Sequence, residues 1–240
     1  MAKVAGEEIR MKKGMMFTLC LLVALPIYAT DTKEDARLKD SAAVLHEILN
    51  MPDKGIPHDL LNKAYCVVVY PSVKKAAFMV GGSYGRGVIS CRTGQTYGGP
   101  WSAPAMFALE GASFGFQIGG EATDFVLLIM NDKGAKSVLS SKVKLGADAS
   151  AAAGPVGRTT SAETDVVMKA EILSWSRARG IFGGVSLEGS TMRSDDDANK
   201  DLYGKELTAK DIIHGGTVTM PADGKQMISL LDRKSPKLMH

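Results

Sequence analysis

The sequence is poor in the residue types that most often carry chemistry. Of 240 residues, three are cysteine, two are tryptophan, and aromatics make up 6%. The four histidines (His46, His58, His214 and His240) include no two at metal-ligand spacing, and there is no CxxC pair. Neither a metal centre nor a cofactor is therefore expected. Charge of one sign is also lacking. The formal net charge of +3 includes four cations and two carboxylates within residues 1–29, so the remainder carries only +1. A nucleic-acid binder keeps a clear positive excess in its folded part, so nucleic acid is not an expected partner. The 26 glycines show no period of three and no heptad run is sustained, which excludes collagen and coiled coil. With 45% hydrophobic and 23% charged residues, the chain has enough apolar material to bury a core.

The longest apolar stretch is Met15–Leu25, preceded by Lys12-Lys13 and ended by Pro26, with Ala29-Thr30 as a small-residue exit. It is much shorter than the roughly 20 residues of a spanning helix. A basic start, a short apolar stretch and a small-residue exit form a secretory signal. Residues 1–29 read as a cleaved signal with an upstream extension, Met11 being the natural start. Cys20 lies inside the apolar run rather than after it, which argues against a lipoprotein. The expected location is the periplasm or cell envelope. Export leaves Cys66 and Cys91, both in strand-like segments, and an oxidising compartment lets them pair. Two buried thiols are the alternative.

Residues 30–232 read as one domain and 233–240 as a flexible tail. Asp31–Leu49 has the period of an amphipathic helix: Leu38, Ala42, Leu45 and Leu49 share a face, and Asp31 with Glu34 has capping-box spacing. That face either covers a sheet or meets a membrane. Tyr65–Tyr70 is a buried-type strand stopped by Pro71. Strand patterns follow at Ala76–Val80, Gly87–Cys91, Phe107–Leu109, Phe114–Ile118, Phe125–Met130, Lys142–Leu145, Glu171–Ser176 and Ile181–Leu187, with helices at Asp132–Ser141, Asp195–Tyr203 and Thr208–Ile213. Strands with glycine-rich turns, helices gathered at the ends and no βαβ rhythm give an α+β class. The sheet is expected to be antiparallel or mixed and twisted, open or barrel-like.

Two short patterns suggest chemistry. Gly111-Ala112-Ser113-Phe114-Gly115 matches the GxSxG nucleophile elbow, and Asp165 or Asp211 followed by His214 gives the order of a serine hydrolase. Alternation of Phe114, Phe116 and Ile118 instead suggests a strand after Ser113, whereas the elbow needs a helix. GGSYGRG at 81–87 lacks the Lys-Ser/Thr of a phosphate loop and reads as a turn or bulge between strands. The expected anion or lipid contacts are basic: Lys74, Lys75, Arg86, Arg158, Arg177 and Arg179. Lys142 and Lys144 share a face if that stretch is a strand.

Larger blocks carry a resemblance. They are Tyr70-Pro71-Ser72-Val73-Lys74-Lys75, GGSYGRG, Trp101-Ser102-Ala103-Pro104, SFGFQIGGEATDFVLLIMN, KLGADASAAAGPVGR, AEILSWSRARGIFGGVSLEGS and the closing Asn199-Lys200 with Leu202-Tyr203-Gly204. In this order, over about 140 residues, from Ala64 to Gly204, the chain resembles the SYLF domain family, the lipid-binding, actin-regulator-like domain. The resemblance implies binding rather than catalysis. Its eukaryotic members are phosphoinositide-binding modules and regulators of cortical actin, often joined to SH3 or FYVE domains; its bacterial members are stand-alone exported proteins. The expected protein is a bacterial exported member that binds phospholipid, a phosphoinositide-like lipid or a membrane surface, without an active site. Actin is not an expected partner of an exported chain, and a protein partner is not identified by the sequence. The alternatives are a serine hydrolase using Ser113 and a structural envelope protein.

Overall fold

The computed structural model describes residues 32–51, 55–78, 80–113, 121–140, 142–156, 169–178, 181–216 and 218–237. The signal expected at 1–29 lies outside them. From Asp31 onward the chain forms one compact unit. The described elements are helices α1 (Lys33–Asn50), α2 (His58–Lys63), α3 (Asp132–Val138), α4 (Asp196–Tyr203), α5 (Ala209–Gly215) and α6 (Gly224–Lys234). The strands are β1 (Cys66–Phe78), β2 (Val80–Cys91), β3 (Ala105–Ser113), β4 (Glu121–Ile129), β5 (Lys142–Lys144), β6 (Ala151–Ala153), β7 (Ile172–Ala178), β8 (Ile181–Gly184) and β9 (Thr191–Ser194). The class is α+β with helices at both ends, as expected.

The strands form one mixed sheet in the order β5-β9-β3-β2-β1-β4-β7-β6, with β8 also paired to β7. Its pairs are antiparallel except β6 with β7. The sheet curls, and its connections require this. Laid flat, its eight-strand path would set β5 and β6 seven spacings of about 4.8 Å apart, roughly 34 Å. The connection from Lys144 to Ala151 spans at most about 25 Å. Leu145 in fact bridges to Ala149, so the two end strands approach one another in a half-barrel.

Alternation in the strands splits the core in two. Val67, Val69, Val88, Val126, Leu128, Leu173 and Trp175 pack under α1, α2 and α6. Val68, Tyr70, Ile89, Phe107, Leu127, Ile172, Met192, Val143 and Ala151 face the other way and draw on every strand of the path. This second cluster fills the concave side.

Several local expectations are corrected. The cap of α1 is Thr32, whose side chain accepts from the Asp35 N–H in a reciprocal capping box, one residue beyond the expected Asp31. Pro71 does not stop β1. The strand runs on to Phe78 through a bulge, with register breaks between Tyr70 and Val73 against β4 and between Val69 and Lys74 against β2. Ser72 takes a left-handed φ of 53° and donates its N–H to Asp124 Oδ1 at 2.8 Å. A bulge is where a strand tolerates proline. GGSYGRG is not a turn but the body of β2. Its glycines are needed for close approach: a Cβ on Gly85 would lie 2.5 Å from Val73 Cγ2, and one on Gly87 2.1 Å from the Val69 carbonyl oxygen. Glu110–Ser113 likewise continue β3. The first two residues of the flexible tail expected at 233–240 are helical instead. Helix α6, which the sequence reading lacked, extends to Lys234, and Ser235 is fully buried.

Cys66 and Cys91 are direct partners across β1 and β2, are joined by a disulfide and are fully buried. The bond closes a loop with a sequence separation of 25. Replacing both cysteines with alanine is expected to remove about 3 kcal/mol of stability, read as a lower urea midpoint. An unchanged midpoint would show that the bond adds nothing to the sheet pairing.

Candidate functional site

The expected cations have different surroundings. Lys74 is exposed on β1, and its partner across the strand pair is Tyr84, which is 45% exposed. Facing residues of an antiparallel pair project from the same side with Cβ atoms about 5 Å apart. Arg86, two residues along β2, shares that side. Its Nε lies 3.1 Å from Tyr84 Oη and 2.8 Å from Asp195 Oδ2, while its Nη2 donates to Asp195 Oδ1 at 3.3 Å. Partial burial, the largest influence, pulls the Arg86 pKa down, but Tyr84 and Asp195 together leave it above the ordinary value. Lys74, Tyr84 and Arg86 thus form a small basic and aromatic patch, in which Arg86 is held by a buried carboxylate and Lys74 has no ion pair among the described residues.

Arg177 is structural. Its Nε donates to Asp124 Oδ2 at 2.6 Å, its Nη1 pairs with Glu47 of α1, and the guanidinium lies 5.7 Å above the Phe182 ring. It ties α1 to β4 and β8. Lys75 lies on β1 opposite Ser83 and Glu121, with its side chain outside the described residues. Arg158 and Arg179 also lie outside them. Lys142 and Lys144 flank the buried Val143 on the exposed side of β5, as expected. The apolar face of α1 is core: Leu38, Leu45 and Ile48 are fully buried.

Ser113 is the last residue of β3 and pairs with Gly81. His214, on α5, stacks edge-on against Tyr97 at 5.4 Å. Tyr97 belongs to the connection before Ala105, at the opposite end of β3, and eight residues of strand span roughly 26 Å. Asp211, the other triad candidate among the described residues, is engaged in the α5 cap with Thr208. The fold does not bring these groups together as a catalytic triad.

Sequence reasoning missed a buried site around Arg92. This side chain is fully buried and lies 4.4 Å over the Trp101 ring. Its Nε donates to the Ala64 carbonyl at 3.3 Å. Its Nη2 donates to Ser235 O at 3.0 Å and Ser235 Oγ at 2.6 Å. Trp101 Nε1 donates to the same Ser235 carbonyl at 2.9 Å. Burial lowers the Arg92 pKa, opposed by the charge of Asp232. Ala64 and Ser235 are the C-caps of α2 and α6. One guanidinium therefore meets the negative ends of two helices.

The Ysc84 family profile, described as "Las17-binding protein actin regulator", matches residues 110–234. The chain belongs to the Ysc84 (SYLF) family. It is 32% identical over 205 residues to the human SH3 domain-containing YSC84-like protein 1, covering 83% of this chain and 58% of the relative. It is 34% identical over 196 residues to LAS seventeen-binding protein 3 of Saccharomyces cerevisiae, covering 80% and 42%. An SH3 domain-containing protein of Schizosaccharomyces pombe is 38% identical over 183 residues, covering 75% and 41%. The chain thus spans about half the length of these curated relatives.

Within the Ysc84 pattern many motif residues pin the fold. Met106 N–H donates to Asn199 Oδ1 at 2.7 Å, and Tyr203 Oη donates to the Pro104 carbonyl at 2.6 Å. Trp101 holds Ser235, and Gly204 caps α4 in the left-handed conformation. Tyr84, by contrast, stays exposed beside Lys74, which has no ion pair among the described residues.

Proposed function

We propose that this Ysc84-family chain is an exported, envelope-associated protein that binds phospholipid or a membrane surface and has no catalytic centre. The observation that carries the reading is the exposed Lys74–Tyr84 pair. A tyrosine gives a membrane interface an apolar ring and a polar tip, and a lysine beside it keeps its ammonium in the headgroup layer. The Cys66–Cys91 disulfide supports export, because such bonds persist in oxidising compartments. The basic and apolar pattern before Thr30 supports it too.

The test is flotation of the full chain with neutral and anionic vesicles. Lys74→Glu is expected to weaken binding to anionic vesicles roughly thirtyfold at low salt, since each cation near such a surface is worth about 1 kcal/mol and the reversal counts twice. The difference should fade as salt rises. Wild-type protein that floats with neither vesicle would end the lipid reading. The second reading, a protein-binding module, is favoured by the family description, which names binding of Las17. For an exported chain the corresponding partner would be an envelope protein, since cytoplasmic actin would be out of reach.

A further inference from the structure

Helix α4 ends at Tyr203, and Gly204 turns the chain out of it with a left-handed φ of 69°. Beside this turn lies a cleft of about 410 Å³, walled by Leu202, Tyr203, Val218, Met220 and Pro221, with Lys205 on its lining. Small-molecule sites measure about 300–1,000 Å³ and combine apolar walls with a few polar groups that fix orientation. The position of the cleft explains its walls. Leu202 and Met220 pack against the core under the helices, whereas Tyr203 and Val218 pack against the concave core. The cleft therefore opens on the seam between the two. Tyr203 Oη donates to the Pro104 carbonyl at 2.6 Å, and burial pushes its phenol well above the ordinary pKa. The ring is thus a fixed, neutral wall.

Charge selects the head group. The carboxylates of the neighbouring chain are already engaged: Asp201 lies 3.5 Å from Lys33, Glu206 2.8 Å from Lys200 and Asp223 3.7 Å from Lys39. Lys205 is exposed and has no ion pair among the described residues. One uncompensated ammonium beside apolar walls is the complement of a single apolar chain that ends in an anion. A protein partner would need a broader apolar surface, and none of the exposed large apolar side chains among the described residues, Tyr84, Val156 and Ile181, lines the cleft.

We propose that this cleft binds the chain of a fatty-acid carboxylate, with Lys205 paired to its head group. The site stands apart from the Lys74–Tyr84 pair and does not depend on it. Tyr84 lies opposite Glu110 of β3, and six residues of extended chain, about 20 Å, separate Glu110 from the Pro104 that Tyr203 holds.

Titration calorimetry of the full chain with hexanoate, octanoate and decanoate, below their micellar concentrations, tests this. Affinity should rise about fourfold for each added methylene, which is what burying one contributes. Lys205→Glu should weaken decanoate binding about fivefold or more, because it replaces an exposed ion pair with two like charges, and should leave decanol binding unchanged. Thr219→Trp, at an exposed position on the lining, should fill the cleft and abolish binding of both, with an unchanged melting temperature. Lys74→Glu should leave decanoate binding at the wild-type level. Decanoate that fails to bind, that binds no better than hexanoate, or that is untouched by Thr219→Trp would overturn the cleft as a chain site. Equal binding of decanoate by wild type and Lys205→Glu would overturn the head-group pairing. Binding weakened by Lys74→Glu and not by Lys205→Glu would move it to the Lys74–Tyr84 surface and overturn the proposal as well.

Discussion

Replacing Arg92 with alanine is expected to cost about 3–5 kcal/mol of stability, more than any surface change in the chain. The side chain is fully buried. It holds Ala64, where α2 ends, and Ser235, where α6 ends. Alanine would leave the Ala64 carbonyl and the Ser235 hydroxyl short of a donor, and it would open a cavity against Trp101. Lysine is a poor substitute, because one ammonium cannot reproduce a planar fork stacked on an indole while bridging two helix ends. For a chain of this size the loss corresponds to a melting temperature lower by roughly 6–20 °C. Ser235→Ala should cost less, about 1–3 kcal/mol. The double variant should cost less than the sum, because both changes break the same contact. An unfolding free energy for Arg92→Ala, read from urea denaturation, within about 1 kcal/mol of wild type would show that the buried cation is neutral to folding.

That site was not legible in the sequence, for a physical reason. An arginine in a strand-rich segment reads as solvated surface, and its decisive partner lies 143 residues away. The missing helix α6 belongs to the same failure: its polar residues and the proline after Ser235 resembled a fraying terminus. Strand existence was easier. Runs such as CVVVY and FVLLI bury both faces, and their composition alone announces it. Strand length was harder, because Pro71 and the glycines of GGSYGRG follow local rules that end strands. Tertiary packing overrode those rules, with a bulge at Ser72 and with close approach of Val73 and Tyr70 to Gly85 and Gly87. The candidate site was half legible. Lys74 was found from its charge. Tyr84 was hidden inside an expected turn. Arg86 and Arg177 looked free because Asp195, Asp124 and Glu47 stand 109, 53 and 130 residues from them.

Leu45→Asp is expected to prevent folding, and this separates the core role of α1 from a membrane role. Leu38 and Leu45 are fully buried and Ala42 nearly so. They pack in one cluster with Val67 and Val69 of β1 and with Met227 and Leu231 of α6. An aspartate at 45 would bury an unpaired carboxylate or force the helix off the sheet. Either outcome costs an amount comparable to the whole stability of a domain, about 5–15 kcal/mol. Circular dichroism should show lost tertiary structure, and limited proteolysis should cut throughout residues 31–240. Leu45→Ala is the control. It removes apolar contact without adding charge, costs about 2–5 kcal/mol, and should leave a folded protein with a lower melting temperature. Below that temperature it should bind vesicles as wild type does, because the α1 face never leaves the core. A folded Leu45→Asp protein that no longer floats would reverse this and place the apolar face of α1 on the membrane.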